Sequence, residues 1–371
     1  MSINTEDREL AYAKQGALAT RNWDCFQRLI RLALRSGGGR GDGAGETTTG
    51  GRRSGRGPAM AVALLLALLL AGSWVTAPAQ AKTRTLKTGP AIVIVAFGTT
   101  TEAHQTYDFF EAQLRRELSA EWRQAPIVWA YTSSIVRELV NKKFAAEGNP
   151  KRYLSVSQTL ADLQDQGYRQ VAVQSLHIFP GQEYDEMVRE IQAFRGLGMR
   201  IEYGGSLLHR WDSLFASVKI VSANFLPQQD GCTIVVTHGT PETAASDNLT
   251  YLGLDRHVST SYPGTRIGTV EGIIPSQEVL AWAKTCKPAR VRLVPFMYVA
   301  GDHIMHDIMG EVPNREGEPS WAMELKAAGI KVDSVTTEEQ GRKVFKGLGL
   351  YPEINHIFIE ELINSLKRLQ Q

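Results

Sequence analysis

The sequence predicts an α/β protein built from two similar doubly wound halves, whose parallel sheets face each other across a cleft. From Gly89 onward, short β-branched runs alternate with longer helical patterns, which is typical of βαβ units. The segment that closes the first predicted strand, Ala96-Phe97-Gly98-Thr99, also resembles the one that closes the fifth, Thr237-His238-Gly239-Thr240. The 371 residues are about twice a typical domain, so each half can bury a core of its own.

The elements follow from these runs in chain order. β-Branched runs predict strands at Ala91–Phe97, Ile127–Tyr131, Gln170–Leu176, Arg200–Tyr203, Thr233–Thr237, Thr265–Val270, Arg290–Met297 and Ile330–Ser334. The helical patterns predict helices at Thr101–Glu117, Ser134–Phe144, Ser157–Gln166, Tyr184–Arg195, Trp211–Leu226, Ser276–Lys284, Ser320–Ala328 and Ile354–Leu369. A second internal match, between Pro180-Gly181-Gln182-Glu183 and Ala300-Gly301-Asp302-His303, supports a duplication. The halves therefore divide near Gly204–Arg210, into an N-terminal half at 89–205 and a C-terminal half at 206–371 that carries the candidate metal site.

The first 81 residues are predicted to be a leader rather than part of the fold. Ten glycines between Gly37 and Gly57 argue against a packed core, so residues 1–59 are expected to be disordered, or untranslated if Met60 is the start. Three arginines, the apolar run Ala61–Ala71 and Ala79-Gln80-Ala81 then predict a signal peptide over 60–81, cleaved after Ala81. The apolar run is shorter than a membrane span, so we expect a periplasmic protein without a stable span.

Charge and cysteine content exclude several classes of protein. The leader holds ten of the 41 Lys and Arg residues and six of the 39 Asp and Glu residues, so the chain from Lys82 onward has a net charge of −2. A near-neutral chain has no general attraction to nucleic acid, and we expect no such partner. Three cysteines without a CxxC pair exclude a disulfide-dense scaffold, whereas a bridge between Cys232 and Cys286 stays open. A homo-oligomer is among the expected forms.

Three metal-capable side chains are predicted at successive strand ends of the second half. His238 ends the fifth strand, Glu271 ends the sixth and His303 follows the seventh. Because open parallel sheets bind ligands at the carboxyl ends of their strands, these side chains should converge. Two imidazoles and a carboxylate suit Co²⁺, Fe²⁺, Ni²⁺ or Zn²⁺ with coordination positions left open. We therefore predict these three residues as catalytic metal ligands, with His306 as support, and surface histidines as the alternative.

The corresponding strand ends of the first half carry hydroxyl groups and one histidine. Thr99, Thr100, Thr101 and Ser133 precede predicted helices, where hydroxyl groups either bind carboxylates or cap the helix. His177 leaves the third strand between apolar neighbours, so a hydrogen-bonded structural imidazole is the default prediction and a haem ligand is the alternative. The sequence has no GxxxxGK[ST] loop, so nucleotide binding is unsupported.

Several segments together resemble a known family. They are Ala96-Phe97-Gly98-Thr99-Thr100, Gln174-Ser175-Leu176-His177-Ile178, Glu183-Tyr184, His238-Gly239, Gly268-Thr269-Val270-Glu271 and Val299-Ala300-Gly301-Asp302-His303. In order and spacing they are similar to the anaerobic-type sirohydrochlorin cobaltochelatases, which are class II, ATP-independent tetrapyrrole chelatases. The likeness runs from about Gly89 to the C-terminus, and it implies two α/β halves around a tetrapyrrole cleft. Family members that act in cobalamin synthesis are cytoplasmic, whereas this chain has a predicted export signal.

The resemblance implies insertion of Co²⁺, or of Fe²⁺, into sirohydrochlorin. It assigns the metal to His238, Glu271 and His303, the residues that the strand ends had selected. One imidazole would accept a pyrrole proton, and Glu271 would be either a third ligand or the proton acceptor. Candidate contacts for the substrate's carboxylates are Thr99, Thr100, Thr101 and Ser133. Two alternatives stay open: a periplasmic carrier of metal, haem or tetrapyrrole with the same fold, and a zinc hydrolase, which is weaker because no nucleophile motif accompanies the histidines.

Overall fold

The structure is a computed structural model that describes residues 85–241, 245–314, 317–339 and 341–371, without the side chains of 245 and 246. The predicted leader, the signal peptide and the cleavage site after Ala81 lie outside the described residues. Arg84–Gln371 form one compact unit. Within the described ranges, no helix has both the length and the apolar composition needed to cross a membrane.

Each half contains a four-stranded, all-parallel sheet. The first sheet has the order β2-β1-β3-β4 and the second has the order β6-β5-β7-β8. The strands are β1 (Ala91–Ala96), β2 (Ile127–Tyr131), β3 (Gln170–Ser175), β4 (Arg200–Gly204), β5 (Cys232–Thr237), β6 (Thr265–Thr269), β7 (Arg290–Pro295) and β8 (Lys331–Ser334). Because the two orders are equivalent, the predicted pair of similar parallel-sheet halves is confirmed.

Helices connect the strands of both halves, and all eight predicted helices are present. The helices are α1 (Gln105–Glu117), α2 (Ser134–Ala146), α3 (Val156–Asp165), α4 (Gln182–Gly196), α5 (Trp211–Ser222), α6 (Ala245–Ser261), α7 (Ser276–Ala283), α8 (Trp321–Ala327) and α9 (Pro352–Gln370). Helix α6 was not predicted, because its many Ser, Thr and Asp residues and its Gly253 have low helix propensity. A π-helix at Ile304–Ile308 and a hairpin of β9 (Thr336–Glu339) and β10 (Arg342–Phe345) were also not predicted.

The central strands β1, β3 and β5 are buried on both faces, as is typical of parallel sheets. Along β1, Ile92 and Ile94 belong to a cluster that also contains Val235 of β5 and residues of α1, α5, α6 and α9. Val93 and Val95 point to the opposite face, where they pack with residues of α3 and α4. The cluster on the first of these faces joins the two halves, which therefore share one core.

The C-terminal helix α9 crosses from one half to the other. It follows the second sheet in the chain, yet it packs against β3 and β4 of the first sheet. Phe358, Leu362 and Leu366 are fully buried on its inner face. At its end, Arg368 donates hydrogen bonds to Glu202 at 3.1 Å and to the carbonyl of Tyr203 at 3.0 Å, both on β4. The division at residues 205 and 206 remains our proposal for the domains, with α9 as an arm that crosses it.

A disulfide joins Cys232 to Cys286, which settles the alternative that the sequence left open. Cys232 begins β5 and Cys286 follows α7, so the bridge connects the centre of the second sheet to the helix beside it. Both cysteines are buried. The first half has no cysteine between residues 89 and 205, so it has no such bridge.

Candidate metal centre

The first predicted ligand, His238, follows β5 in a tight turn pressed against the end of β6. Its carbonyl accepts hydrogen bonds from the backbone N–H groups of Val270 and Glu271, each at 3.0 Å. The next residue, Gly239, has a φ of +91°, and a Cβ at this position would overlap the carbonyl oxygen of Glu271. Only glycine fits such a conformation and such a close approach. The His-Gly pair thus holds two strand ends, and the two side chains they carry, against each other.

A tyrosine on α6 fixes the same turn. The hydroxyl of Tyr251 donates to the Gly239 carbonyl and accepts from the Gly239 N–H, each at 3.0 Å. Burial raises the pKa of this phenol far above its ordinary value, so it keeps the proton that it donates. The ring of Tyr251 stacks on Phe179 of the first half, with centroids 3.8 Å apart. Sequence reasoning missed Tyr251, because α6 itself was not predicted and nothing local links residue 251 to residue 239.

The structure brings His238, Glu271 and His303 together. His238 Nδ1 lies 3.5 Å from Glu271 Oε1, and the His238 and His303 ring centroids are 4.9 Å apart. The three side chains are 45%, 50% and 41% exposed, so solvent and a large ligand can reach them. Among the residues that the structure describes, no three His, Cys, Asp or Glu side chains already surround a point as a closed metal site. A metal bound by all three residues would therefore require their side chains to turn towards it.

Two neighbouring carboxylates contact the histidines of the third strand-end loop. His303 lies at the start of the π-helix, and its Nδ1 is 2.7 Å from Asp307 Oδ2. His306, which we expected to support His303, instead places its Nδ1 3.1 Å from Asp302 Oδ1 and 3.1 Å from the Asp302 carbonyl. The residue that supports His303 is therefore Asp307. Its four-residue spacing from His303 was visible in the sequence, although that pair was not singled out.

Two of the four predicted hydroxyl groups of the first half, Thr101 and Ser133, are occupied as helix caps, and Thr99 and Thr101 lie beside the second half. A Cβ on Gly301 would come within 3.2 Å of Thr99 Oγ1 and 3.4 Å of Thr101 Oγ1, so these two loops touch. Thr101 accepts a hydrogen bond from the Ala103 N–H, and Ser133 accepts one from the Val136 N–H. The neighbouring Thr100 is exposed. Carboxylate binding by these hydroxyl groups stays a prediction, whereas Thr101 and Ser133 act as helix caps in the structure.

His177 has both ring nitrogens engaged. Its Nε2 lies 3.0 Å from the Thr132 hydroxyl, and its Nδ1 lies 2.8 Å from the Ser175 hydroxyl. Burial lowers the pKa of the imidazole to about 4, so the ring is neutral at pH 7. An axial haem ligand needs a free ring nitrogen facing the iron. The surroundings of His177 do not fit haem ligation and agree with a structural imidazole.

Backbone hydrogen bonds align the two halves residue by residue. The Leu176 N–H donates to the Val95 carbonyl, and the Phe296 N–H donates to the Val236 carbonyl, both at 2.7 Å. This aligns β1 with β5 and β3 with β7. The alignment continues past the strands, because the His177 and Met297 carbonyls, one residue further on, accept from the N–H groups of Leu207 and Leu348.

The alignment shows what the first half carries at each position of the metal centre. Phe97 lies where His238 lies, and Ser133 lies where Glu271 lies, since the Ser133 N–H donates to the Phe97 carbonyl just as the Glu271 N–H donates to the His238 carbonyl. Leu176 aligns with Phe296, and the seventh residue after each is Glu183 in the first half and His303 in the second. The first half thus has an exposed aromatic ring, a hydroxyl group and one carboxylate in place of the three predicted ligands.

Comparison with known proteins finds a matching family, two relatives and a solved structure. A sequence profile described as cobalt chelatase (CbiK) matches residues 90–367, well over half of the chain. The chain is 29% identical over 278 residues to a Salmonella typhimurium protein named sirohydrochlorin cobaltochelatase, covering 74% of this chain and 96% of the relative. It is also 29% identical over 266 residues to the sirohydrochlorin cobaltochelatase CbiKC of Nitratidesulfovibrio vulgaris, covering 68% of this chain and 86% of the relative. Among solved structures, SirB from Bacillus subtilis with Fe³⁺ has a TM-score of 0.48 and 14% identity, covering 76% of this chain and 97% of SirB.

Proposed function

Because the chain belongs to the cobalt chelatase (CbiK) family, we propose that it inserts Co²⁺ into sirohydrochlorin without ATP, with Fe²⁺ as the alternative metal. The names of the two relatives support the substrate and the reaction. The observation that carries the proposal is the meeting of His238, Glu271 and His303 at three strand ends of one sheet. These side chains offer two nitrogens and a carboxylate to a metal that enters as a substrate.

The reaction requires a metal site that is also a proton acceptor. Sirohydrochlorin releases two pyrrole N–H protons, and the metal passes from protein ligands to four ring nitrogens. Neutral imidazoles and a carboxylate bind a divalent ion through lone pairs that can take up a proton once the ion leaves. His238 and His303 hold the metal in this proposal. Glu271, 3.5 Å from His238, either completes the coordination or receives the first proton.

The first half supplies the opposite wall for the macrocycle. Phe97 is 45% exposed, although large aromatic side chains are usually covered, and the alignment places it at the position equivalent to His238. An exposed ring suits contact with the flat, conjugated face of a tetrapyrrole. Thr99 and Thr101 lie next to Gly301, which belongs to the loop that carries His303. We assign macrocycle binding to this wall and metal binding to the other.

Turnover of the purified protein tests the proposed function. Catalytic conversion of sirohydrochlorin by Co²⁺, followed in the absorption spectrum over many equivalents per protein, is the expected result. If the reaction stops at one equivalent per protein, the proposed enzyme activity is wrong and the carrier hypothesis is supported. His303→Ala should abolish turnover. His356→Ala is a matched control, because His356 contacts Glu117 and Glu360 rather than the metal centre.

Export to the periplasm is part of the proposal. It is supported by the predicted signal peptide and by the Cys232–Cys286 disulfide, because structural disulfides persist mainly in oxidising compartments. N-terminal sequencing of protein from the periplasmic fraction should find Lys82 as the first residue. An intact leader, or protein confined to the cytoplasm, would contradict export.

We propose that His177 serves the fold and does not bind haem. Its two hydroxyl partners leave neither ring nitrogen free. A titration of the purified protein with haem should give the same visible spectrum for the wild-type protein and for His177→Ala. A six-coordinate Soret band that is present in the wild-type protein and lost in His177→Ala would instead show that His177 binds haem. Self-association stays a prediction, which sedimentation of the same preparation tests.

A further inference from the structure

The carboxylate of Asp307 contacts the side chain of His303, and the proposed function has so far given this carboxylate no role. His303 Nδ1 lies 2.7 Å from Asp307 Oδ2, the closest contact between a histidine and a carboxylate anywhere in the described residues. Asp307 is only 28% exposed, less than His303 at 41%. The contact leaves His303 Nε2 without a hydrogen-bond partner among the residues that the structure describes.

The local backbone explains why these two side chains meet. Ile304 and Ile308 are almost completely buried in the apolar cluster beneath the second sheet. His303 and Asp307 each precede one of these anchors, so they lie together on the neighbouring, more open face. The five-residue π-helix that follows His303 therefore fixes the carboxylate relative to the imidazole, and neither side chain depends on a mobile loop.

Resting on the proposed function, we propose that Asp307 is a positioning residue that holds His303 with its proton on Nδ1 and its lone pair on Nε2, the nitrogen that takes the incoming metal. A carboxylate accepts hydrogen bonds only, so the imidazole nitrogen beside it must be the donor. Outer carboxylates of this kind fix the tautomer and the orientation of metal-binding histidines.

His238 shows the same arrangement with a weaker partner. Its Nδ1 lies 3.2 Å from the Gly239 carbonyl and, beyond hydrogen-bond contact, 3.5 Å from Glu271 Oε1, and both of these groups only accept. Both imidazoles thus direct Nδ1 towards an acceptor and keep Nε2 for the metal. Because a carboxylate forms the stronger hydrogen bond, Asp307 makes His303 the better ordered of the two ligands before the metal arrives.

The neighbouring pair provides a matched control. His306 Nδ1 lies 3.1 Å from Asp302 Oδ1, which repeats the chemistry of the His303–Asp307 pair in the same segment. Asp302 and His306 are 61% and 57% exposed, and neither contacts His238 or Glu271 in the described structure. Asp302→Asn therefore removes the same charge near the site without removing the partner of His303.

The experiment measures binding of Co²⁺ alone, by calorimetry and by the visible absorption of the bound ion. Asp307→Asn should weaken binding by about 10- to 100-fold, the range found for outer partners of metal ligands. Asparagine can donate to Nδ1 and so favours the tautomer with the proton on Nε2. Long-range ¹H–¹⁵N spectra of the metal-free protein, with the His303 signals assigned from His303→Ala, should show this change. Asp307→Glu should restore part of the affinity, and Asp302→Asn should leave it unchanged.

The outcomes separate the inference from the proposed function. Wild-type Co²⁺ affinity in folded Asp307→Asn, or an unchanged His303 tautomer, overturns the role of Asp307. Equal losses in Asp307→Asn and Asp302→Asn also overturn it, because they indicate a general effect of charge. If His303→Ala keeps normal turnover, the proposed metal site itself fails. Loss of turnover in His303→Ala with unchanged binding in Asp307→Asn removes the inference alone.

Discussion

The two halves of the molecule have the same framework and different chemistry at its edge. Both sheets have equivalent strand orders, and the first strand of each ends in a glycine with positive φ, Gly98 at +105° and Gly239 at +91°. In both, a buried tyrosine from the following helix lies near that glycine, Tyr107 in the first half and Tyr251 in the second, and Tyr251 also forms hydrogen bonds with the Gly239 backbone. The glycine turn that presents the strand end thus occurs twice.

The difference lies in three side chains. The second half has His238, Glu271 and His303 where the first half has Phe97, Ser133 and Glu183, and the strand ends that lead to them are aligned by equivalent backbone hydrogen bonds. The comparison shows that one fold forms two opposed edges and that a few side chains give these edges different chemistry. In our proposal, one edge binds the metal, and the other offers an aromatic ring and hydroxyl groups to the macrocycle. Substitutions that make the two halves more alike should therefore remove function without removing the fold.

The largest effect is expected when the second half receives the aromatic residue of the first. His238→Phe removes a metal ligand and keeps a ring of similar size at an exposed turn, so turnover should fall by about 1,000-fold, or about 4 kcal/mol in transition-state free energy. Steady-state insertion of Co²⁺ measures this, and the thermal midpoint confirms that the variant is folded. Near-normal turnover in the folded variant would contradict the division of roles between the halves.

The disulfide is the next difference between the halves. Its two cysteines are 54 residues apart, and a bridge closing a loop of this size typically stabilises a protein by about 2–4 kcal/mol. The double variant Cys232→Ala, Cys286→Ala should lose about that much free energy of unfolding in a denaturant titration. A reducing agent should destabilise the wild-type protein to a similar extent and leave the variant unaffected. Equal sensitivity of both proteins to the reductant would show that the bridge is not what stabilises the second half.

A smaller effect is expected at the carboxylate. Glu271→Ser copies the first half and removes both the charge and the proton acceptor, so turnover should fall by about 30-fold, or about 2 kcal/mol. Glu271→Gln keeps the shape, so an equal loss in both variants would assign the effect to charge. If Glu271→Gln retains wild-type turnover while Glu271→Ser does not, the side chain acts through its size and not as ligand or base.

The smallest effect is expected on the substrate side. Phe97→Ala removes one stacking surface, and aromatic contacts of this kind are worth about 1 kcal/mol, so KM for sirohydrochlorin should rise by roughly 5- to 10-fold. Affinity for Co²⁺ alone should not change, because Phe97 does not belong to the metal edge. Phe215→Ala is the matched control, since Phe215 is also 45% exposed but lies on α5. Weaker Co²⁺ binding in Phe97→Ala would show that the two edges are not separate.

Much of this architecture could be predicted because it depends on local patterns and on repetition. The eight sheet strands contain β-branched or apolar residues in short runs, and the repeated Phe-Gly-Thr and His-Gly-Thr segments indicate the duplication that the strand orders confirm. Parallel sheets also bring their strand ends together, so His238, Glu271 and His303 could be selected without knowledge of any distance.

The remaining features depend on contacts that a local pattern does not contain. Helix α6 is stabilised by burying Tyr251, Leu254 and Val258, although its own sequence has low helix propensity. The role of Tyr251 depends on a turn twelve residues earlier in the chain. His306 was expected beside His303, but the π-helix turns it to Asp302 and brings Asp307 to His303 instead.

The crossing of α9 has a consequence for how the protein is made. One face of β3 and β4 is covered by Phe358, Leu362 and Leu366, which are synthesised long after the whole first sheet. Until they are synthesised, the first sheet exposes apolar strands that cannot yet be covered, although all of its own residues are already present. A chain that stops near Leu350 should therefore aggregate through its N-terminal sheet. Burial of the first sheet therefore depends on a helix that is synthesised about 150 residues after β4.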